Sequence, residues 1–297
     1  MVARSQIEIP VEGATLAAVL YTPENLAAPA PAITLANGMA GLKESLDSYA
    51  TAFAEAGFVA VLHDHRNFGG STGTHRHDID PWQQIADWRR VISYLESREE
   101  VDASRIGLWG TSFAGGHALV LGATDRRLKA VVSQVPFISG REDFRRRVLP
   151  EAQAAWQERY DEDERGQLRG EPPRMIKMVD TDPGADALYH APDIARAYID
   201  KRPAGVEWSN EITLRSSRRT RIYEPGSYAD LVSPTPLLMI VTDNDTMTPA
   251  DLALGAYERA LEPKSLLMLP GTHFTPYVDR FDESSTAALN WFASHLS

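Results

Sequence analysis

The 297-residue sequence predicts an α/β fold, with a doubly wound, mostly parallel sheet that carries a helical cap insertion. Short apolar runs alternate with amphipathic stretches up to residue 136 and again from residue 229. Such alternation is typical of parallel strands joined by right-handed helical crossovers. Between these parts the alternation stops and charged helical segments replace it. We therefore expect residues 1–136 and 229–297 to form the sheet core and residues 137–228 to form the cap.

The predicted strands are short apolar runs bounded by turn residues. In chain order they read ATLAAVLYTP, PAITLAN, FVAVLHD, SRIGLWG, LKAVVSQVP, PLLMIVT and KSLLMLP. The first predicted helix, KESLDSYATAFAEAG, has apolar residues at helical spacing and ends at Gly57. The second, DPWQQIADWRRVISYLESR, has the strongest start signal, because Asp80 is a favoured N-cap residue and Pro81 a favoured first residue. Its apolar face is predicted to contain Trp82.

Further predicted helices follow the fourth and sixth of these strands and close the chain. One begins near Ser112, one is PADLALGAYERAL, and the last runs through TAALNWFASHL. The cap contributes REDFRRRVLPEAQAAWQERYDEDERGQ and APDIARAYIDKR. The sequence therefore predicts one sheet core, formed by the two stretches on either side of the cap, and a helical cap.

Composition excludes several classes of protein. The net charge of −11 makes nucleic acid and anionic membranes unfavourable partners. The absence of cysteine excludes disulfides, thiolate chemistry and cysteine-ligated zinc. We see no signal sequence and no apolar run of about 18 residues, so we expect a cytoplasmic protein. We expect no metal or cofactor, and the sequence leaves open whether the chain forms a homo-oligomer.

The stretch GLWGTSFAGGHAL contains the central functional signal. It places Ser112 between a predicted strand and a predicted helix, with Gly110 and Ala114 two residues away on either side. A serine on such a sharp turn is strained, requires small neighbours and lies at a helix N-terminus that stabilises developing negative charge. The pattern is the G-x-S-x-G nucleophile elbow with alanine in the last position. The alternative is a turn in which the serine only caps the helix.

A nucleophilic serine needs a base and an acid that orients the base, and in this arrangement both follow it in the chain. His273 follows the late strand KSLLMLP, and it is the predicted base. Asp245 follows the strand PLLMIVT and is favoured as the acid over its neighbour Asp243. The alternative for either aspartate is loop solvation or helix capping.

The other histidines are predicted to have structural roles. His117 lies within the helix after the serine, where a packed or partly exposed position is expected. A further group, without a compelling metal-ligand spacing, lies near a glycine-rich loop and comprises His63, His65, His75 and His77. His190 and His295 are predicted to lie at a cap and at the surface.

A tetrahedral oxyanion needs two backbone N–H donors. The N–H of Phe113, directly after the nucleophile, is the first candidate. The N–H of Met39, in the loop NGMAG after an early strand, is the second, because Gly38 and Gly41 allow the backbone to approach closely.

Together these residues resemble the α/β-hydrolase superfamily over nearly the whole chain. The segment DHRNFGGSTG is similar to the D-x-R-x-x-G-x-S-x-G segment of the dienelactone-hydrolase-like and X-prolyl-peptidase-like branches. The resemblance implies structural roles for Asp64 and Arg66, paired with each other or with backbone. The loop NGMAGLKE resembles the H-G-x-x-G-x-K-E loop of this group, with Asn37 in place of histidine. This replacement is expected to alter how the loop is braced.

The resemblance implies a serine hydrolase that cleaves a carboxylic ester, or a related acyl bond, of a small organic molecule. Thioester cleavage, acyl transfer and amide or peptide cleavage use the same residues and remain alternatives. A non-catalytic ligand-binding protein is the alternative of another class.

The cap is expected to supply the substrate pocket. The candidate lining residues are Met175, Met178, Tyr189, Tyr198 and Trp208. They are equally compatible with packing of the cap on itself. The basic run RSSRRTR, residues 215–221, is compatible with holding a substrate carboxylate but more often such a run is solvated or paired with acidic residues.

Overall fold

A computed structural model describes residues 1–24, 26, 28–190 and 208–297 and confirms the predicted fold class. The strands, in chain order, are β1 (Val2–Val11), β2 (Ala14–Pro23), β3 (Ala30–Ala36), β4 (Val59–His63), β5 (Val101–Thr111), β6 (Leu128–Gln134), β7 (Met175–Asp180), β8 (Ala187–His190), β9 (Glu211–Thr213), β10 (Leu237–Thr242) and β11 (Lys264–Leu269). The main sheet has the order β1-β2-β4-β3-β5-β6-β10-β11. In this order, the strands β4, β3, β5, β6, β10 and β11 are parallel to one another, whereas β2 runs antiparallel to both β1 and β4.

All seven predicted strands belong to this sheet, and β1 is an additional strand. The sequence of β1, VARSQIEIPV, mixes polar with apolar residues, and most of its side chains are exposed at the sheet edge. Only Ile9 in it is fully buried. A strand with one core residue lacks the apolar signal on which the strand prediction depends.

Helices cover both faces of the sheet. They are α1 (Asp47–Glu55), α2 (Pro81–Glu96), α3 (Phe113–Thr124), α4 (Gly140–Arg147), α5 (Pro150–Leu168), α6 (Leu214–Arg221), α7 (Ala250–Arg259) and α8 (Phe281–His295). Apolar side chains of α2 and α3 pack on one face, and those of α1 and α8 pack on the other. Within the described ranges, none of the helices has the length and apolar character needed to cross a membrane.

The start of α2 agrees with its sequence signals. The Asp80 side chain accepts hydrogen bonds from the backbone N–H groups of Trp82 at 3.1 Å and Gln83 at 3.2 Å. The prediction that Trp82 belongs to the buried face is wrong, since 49% of its surface is exposed. Its position in the first turn places the ring beside Tyr223 and Tyr228 of the cap region, beyond the edge of the core.

The segment 137–228 contains α4, α5 and α6, and also a small sheet that we did not predict. Its strand order is β8-β7-β9, with β7 parallel to β8 and antiparallel to β9. Strands β7, β8 and β9 have six, four and three residues, and β7 and β9 include charged residues. They therefore carry little apolar periodicity. The predicted helix APDIARAYIDKR begins at Ala191 and lies outside the described residues.

A buried ion pair fixes the glycine-rich loop after β4. The Asp64 carboxylate accepts hydrogen bonds from Lys43 Nζ at 2.8 Å, from the Lys43 backbone N–H at 2.8 Å and from the Gly70 N–H at 3.0 Å. Arg66 instead pairs with Asp87 and donates to the carbonyl of Glu12. Asp64 and Arg66 are therefore not paired with each other, although both contact backbone as expected.

We predict that Lys43→Met will lower the free energy of unfolding by about 3 kcal/mol, because removing one partner leaves a buried carboxylate without its cation. Urea unfolding followed by circular dichroism measures this change. Lys177→Met is the matched control, since Lys177 forms an exposed pair with Asp180 and its loss should have no measurable effect. Equal stability of the two variants would contradict the prediction.

Candidate functional site

Ser112 occupies a strained turn between β5 and α3. Its backbone angles are φ 56° and ψ −121°, a conformation that is costly for a residue other than glycine. Its N–H donates to the carbonyl of Gln134 at 2.9 Å, and its carbonyl accepts from Gly115 N–H at 2.9 Å. A Cβ added at Gly110 would lie 2.2 Å from the carbonyl oxygen of Ala114. The turn therefore requires the glycine that the sequence pattern contains.

His273 and Asp245 meet Ser112 at the carboxyl edge of the sheet. His273 follows β11 and Asp245 follows β10, while Ser112 follows β5. The Nε2 atom of His273 lies 3.0 Å from Ser112 Oγ, and its Nδ1 atom lies 2.7 Å from Asp245 Oδ2. All three side chains are buried. The structure thus brings together the three residues that the sequence analysis selected.

The environment of Asp245 keeps its carboxyl group ionised. Burial acts to raise the pKa of Asp245, but the His273 ring and several hydrogen-bond donors together hold that pKa below its usual value. The backbone N–H groups of Met247 and Thr248 each donate to Asp245 Oδ1 at 2.8 Å. Asp243, the competing acid, instead accepts from the Gly271 N–H and from Asn244 Nδ2, each at 2.8 Å. The geometry therefore favours Asp245.

The candidate oxyanion loop approaches Ser112 very closely. A Cβ added at Gly38 would lie 2.6 Å from the Cβ of Ser112 and 3.3 Å from the backbone nitrogen of Phe113. This contact requires glycine and places the backbone around Met39 beside the serine. The Phe113 N–H belongs to the first turn of α3, where N–H groups have no carbonyl partner within the helix.

Asn37 braces this loop from within. Its Oδ1 accepts from the Gly38 N–H at 2.7 Å, and its Nδ2 donates to the carbonyl of Leu42 at 2.8 Å. From the cap side, Trp208 Nε1 donates to the carbonyl of Ala40 at 2.8 Å. The asparagine that replaces the histidine of the related loops therefore closes the loop on itself.

A cavity extends from the oxyanion loop into the cap. It encloses about 440 Å³ of space outside protein atoms, part of it open to solvent. The described part of its wall is mainly aromatic and aliphatic, with three charged side chains. The lining residues are Met39, Phe137, Gly140, Asp143, Phe144, Arg147, Val148, Trp156, Tyr160, Leu188, Tyr189, Ser217, Thr220 and Arg221.

The predicted pocket residues have different positions. Tyr189 lines the cavity, and Trp208 contacts the oxyanion loop. Met178 is fully buried in the core and Met175 lies at the surface, because alternate residues of β7 point to opposite faces. Tyr198 lies outside the described residues. Most of the described cavity wall comes from α4, α5 and the segment before them, which sequence patterns did not distinguish from ordinary cap packing.

The basic run of α6 is mostly paired with acidic residues. Arg215 and Arg219 contact the carboxylate of Asp78, and Arg218 contacts Glu164. These three arginines are therefore paired with acidic residues, which is the more frequent arrangement for such a basic run. Arg221 differs from them because it lines the cavity.

Three histidines form a buried group beneath the oxyanion loop. His65 Nε2 lies 3.0 Å from the carbonyl oxygen of Asn37, and the His65 ring lies 5.3 Å from His63 and 5.7 Å from His117. Burial lowers the pKa of all three, that of His65 to about 4. His117 is packed as expected and contacts the hydroxyl of Tyr223.

The remaining histidines lie apart from this group. His75 is exposed, His77 lies beside Phe68, and His190 is exposed beside the carbonyl of Ala185. His295 contacts the ring of Trp291 near the C-terminus. Across the described residues, no cluster of three or more histidine, aspartate or glutamate side chains has the geometry of a metal site.

Thr248 is a site residue that the sequence analysis missed. Its hydroxyl lies 2.8 Å from Asp245 Oδ2, 3.0 Å from the carbonyl oxygen of Val135 and 3.1 Å from His273 Nδ1. A hydroxyl has one proton, so it donates to one oxygen at a time and its lone pairs face the imidazole. The available signal was the position of Thr248, three residues after Asp245 and directly before Pro249, where a helix starts.

Comparisons with known proteins show the family and the fold of the chain. The sequence pattern of the X-Pro dipeptidyl-peptidase (S15) family matches residues 12–275. The quorum-quenching protein AidA of Acinetobacter baumannii is 32% identical over 80% of this chain and 77% of its own length. A thiohydrolase of Eupenicillium brefeldianum is 27% identical over 88% of this chain and 83% of its own. The solved α/β hydrolase GrgF of Penicillium has 25% identity and a TM-score of 0.87, with 99% of each chain covered.

We predict that Thr248→Val will slow the reaction of Ser112 with a fluorophosphonate about tenfold, because one hydrogen bond to the charged acid is lost. Thr248→Ser keeps the hydroxyl and should react at nearly the parent rate. The rate is measured from the mass shift of the Ser112 peptide over time. Equal rates for the valine and serine variants would show that the hydroxyl does not position the acid and base.

The buried histidines predict loss of stability in acid. Below about pH 6.5 the unfolded chain takes up protons that folded His65 does not bind until its pKa near 4 is reached. The free energy of unfolding should therefore fall by about 2 kcal/mol between pH 6.5 and 5 for one such histidine. Urea titrations at pH 7.5 and 5 should show a smaller loss for His65→Gln than for the parent. His75→Gln, at an exposed position, should behave as the parent, and identical pH dependence of all three proteins would contradict the assignment.

Proposed function

The chain belongs to the X-Pro dipeptidyl-peptidase (S15) family of α/β hydrolases, and from this premise we propose that it is a serine hydrolase that cleaves a carboxylic ester of a small organic molecule. The observation that carries the proposal is the continuous chain of contacts from Asp245 through His273 to Ser112, at 2.7 Å and 3.0 Å. These are the distances at which an acid orients an imidazole and the imidazole takes a serine proton.

The reaction proceeds by acyl transfer in two steps. Asp245 accepts the hydrogen bond of His273 Nδ1–H, which leaves the lone pair of Nε2 directed at Ser112. His273 takes the proton as Ser112 Oγ attacks the ester carbonyl, and the same proton passes to the departing alcohol. His273 then takes a proton from a water molecule as the water oxygen attacks the acyl carbonyl, and it returns that proton to Ser112 Oγ as the carboxylic acid departs.

Backbone N–H groups stabilise the charge that forms on the carbonyl oxygen. The Phe113 N–H lies in the first turn of α3, and the Met39 N–H belongs to the loop that packs on Ser112. Fixed donors in a buried site act on this oxygen without the reorganisation that water would need. The close approach of Gly38 supports this role, because any side chain there would push the loop away.

The cavity supports ester cleavage over dipeptide release. An enzyme that removes dipeptides must hold the free ammonium group of the peptide, which requires an acidic partner. Among the described residues that line the cavity, the acidic one is Asp143, and Arg147 already binds it at 2.7 Å. The lining thus favours an apolar acyl group over a cationic peptide terminus.

Thioester cleavage or acyl transfer is the second candidate, favoured by the names of two relatives. One is the thiohydrolase mentioned above, and the other is a polyketide transferase of Penicillium, 27% identical over 90% of this chain and 88% of its own. Both reactions use the same acyl-enzyme and differ in the leaving group or the acceptor. Matched hexanoyl oxygen esters and thioesters, assayed with and without an added alcohol, separate the three reactions.

We predict that Ser112→Ala will lower kcat for p-nitrophenyl esters about 10⁶-fold, the loss expected when the nucleophile of a triad is removed. Ser227→Ala, at an exposed serine, should keep full activity. A fluorophosphonate should add its mass to Ser112 of the parent alone. Retained turnover in Ser112→Ala would refute the mechanism, and absence of both turnover and labelling in the parent would favour the ligand-binding alternative.

A further inference from the structure

Arg147, one of two arginines among the described residues that line the cavity, is bound by neighbouring groups of the protein. Its Nε donates to Asp143 at 2.7 Å, and its terminal nitrogen donates to the carbonyls of Thr246 at 3.1 Å and Met247 at 2.9 Å. Its guanidinium also lies 4.5 Å from the centre of the Tyr189 ring. The charge and most of the donors of Arg147 are therefore satisfied by neighbouring groups.

Arg221 is different, because no carboxylate within the described ranges lies within 4.0 Å of its guanidinium. Its guanidinium carbon lies 4.0 Å from the centre of the Phe144 ring. A ring face attracts the cation but accepts none of its five N–H groups in the way an oxygen does. Arg215, Arg218 and Arg219, in the same helix, each have an acidic partner.

The polar neighbour of Arg221 in the cavity is the hydroxyl of Tyr160. Burial raises the pKa of that hydroxyl, and the hydrogen bond from Ser217, together with the charge and a hydrogen bond of Arg221, opposes the rise. The hydroxyl accepts from Ser217 Oγ at 3.0 Å. Arg221, Tyr160 and Ser217 all line the cavity, so its wall contains a positive group flanked by hydroxyls.

The same cavity reaches the oxyanion loop, which packs on Ser112. Met39 of that loop lines it, and another wall residue, Phe137, packs against Phe113 with 5.2 Å between ring centres. Apolar residues, Phe144 and Val148 among them, share the wall with Arg221. A bound acyl group would therefore pass along an apolar surface before it meets the guanidinium.

We propose that Arg221 binds a carboxylate at the far end of the acyl group, so that the preferred substrates are half-esters of dicarboxylic acids with an apolar spacer. This specificity rests on the proposed function and adds the class of acyl group to it. The planar guanidinium matches a carboxylate with two parallel N–H···O bonds. A neutral acyl chain of the same length gains none of these contacts, and an acyl chain ending in an ammonium group would be repelled.

Ligand binding to Ser112→Ala, which needs no turnover, tests this specificity. Monomethyl adipate, suberate and sebacate are compared by calorimetry with methyl hexanoate, octanoate and decanoate, which replace the carboxylate by a methyl group. We expect at least one half-ester to bind about tenfold or more tightly than its neutral partner, as charge-assisted hydrogen bonds predict. Arg221→Gln in the same background should abolish the preference, and Arg221→Lys should keep part of it.

Arg218→Gln is the matched control, since Arg218 lies on the same helix and pairs with Glu164 outside the cavity lining. It should keep the full preference, and thermal unfolding midpoints check that each variant is folded. The proposal fails if no half-ester binds more tightly than its neutral partner, or if the preference survives in Arg221→Gln. Either result stands whether or not the parent hydrolyses esters, so the test is independent of the proposed reaction.

Discussion

The geometry of the site depends on the left-handed backbone of Ser112. A non-glycine residue in such a conformation costs about 1–3 kcal/mol, and the neighbouring main chain must supply that energy. Ser112 donates its N–H to Gln134 at the end of β6, and its carbonyl accepts from both Gly115 in α3 and Phe137 at the start of the cap. The strained residue is therefore held by the sheet, the following helix and the cap together. As a result, one small turn presents the hydroxyl to His273 and sets the Phe113 N–H beside it.

The parallel sheet brings the acid and the base to this turn, and the cap fixes the acid loop. The loops after β10 and β11 lie on neighbouring strands, which explains how residues far apart in sequence meet. Thr248 links Asp245 to the end of β6 through the carbonyl of Val135. Arg147, in α4 of the cap, donates to the carbonyl of Met247, and the Met247 N–H donates to Asp245. The position of the cap and the orientation of the acid are thus coupled through one residue.

The sequence predicts the parts of the protein that produce strong local signals. Ser112 is visible because its turn requires small neighbours, and His273 because it follows a late strand. Thr248 was missed, since its position three residues after Asp245 was the available signal and the contacts of its hydroxyl with distant loops leave no local pattern. The cap sheet was missed because its strands are short and charged, and the cavity wall because an apolar helix face looks the same whether it packs or lines a pocket. Asp64 was expected to contact Arg66 or backbone; it accepts from backbone N–H groups and from the ammonium group of Lys43, a partner distant in sequence that no local pattern indicates.

The charged residues that the structure describes in the cavity wall are net positive, whereas the chain is net negative. The protein carries a net charge of −11, so a carboxylate is repelled at long range, while the described part of the wall contains two arginines and one aspartate. At physiological ionic strength the repulsion is screened beyond about 8 Å, whereas a partly buried contact is screened much less. Arg221 would therefore recognise an anionic acyl group by direct contact, whereas the net charge of the protein would not attract it. Such a site distinguishes anionic from neutral substrates by how slowly they dissociate. Added salt should raise the association rate of an anionic substrate, because it weakens the long-range repulsion.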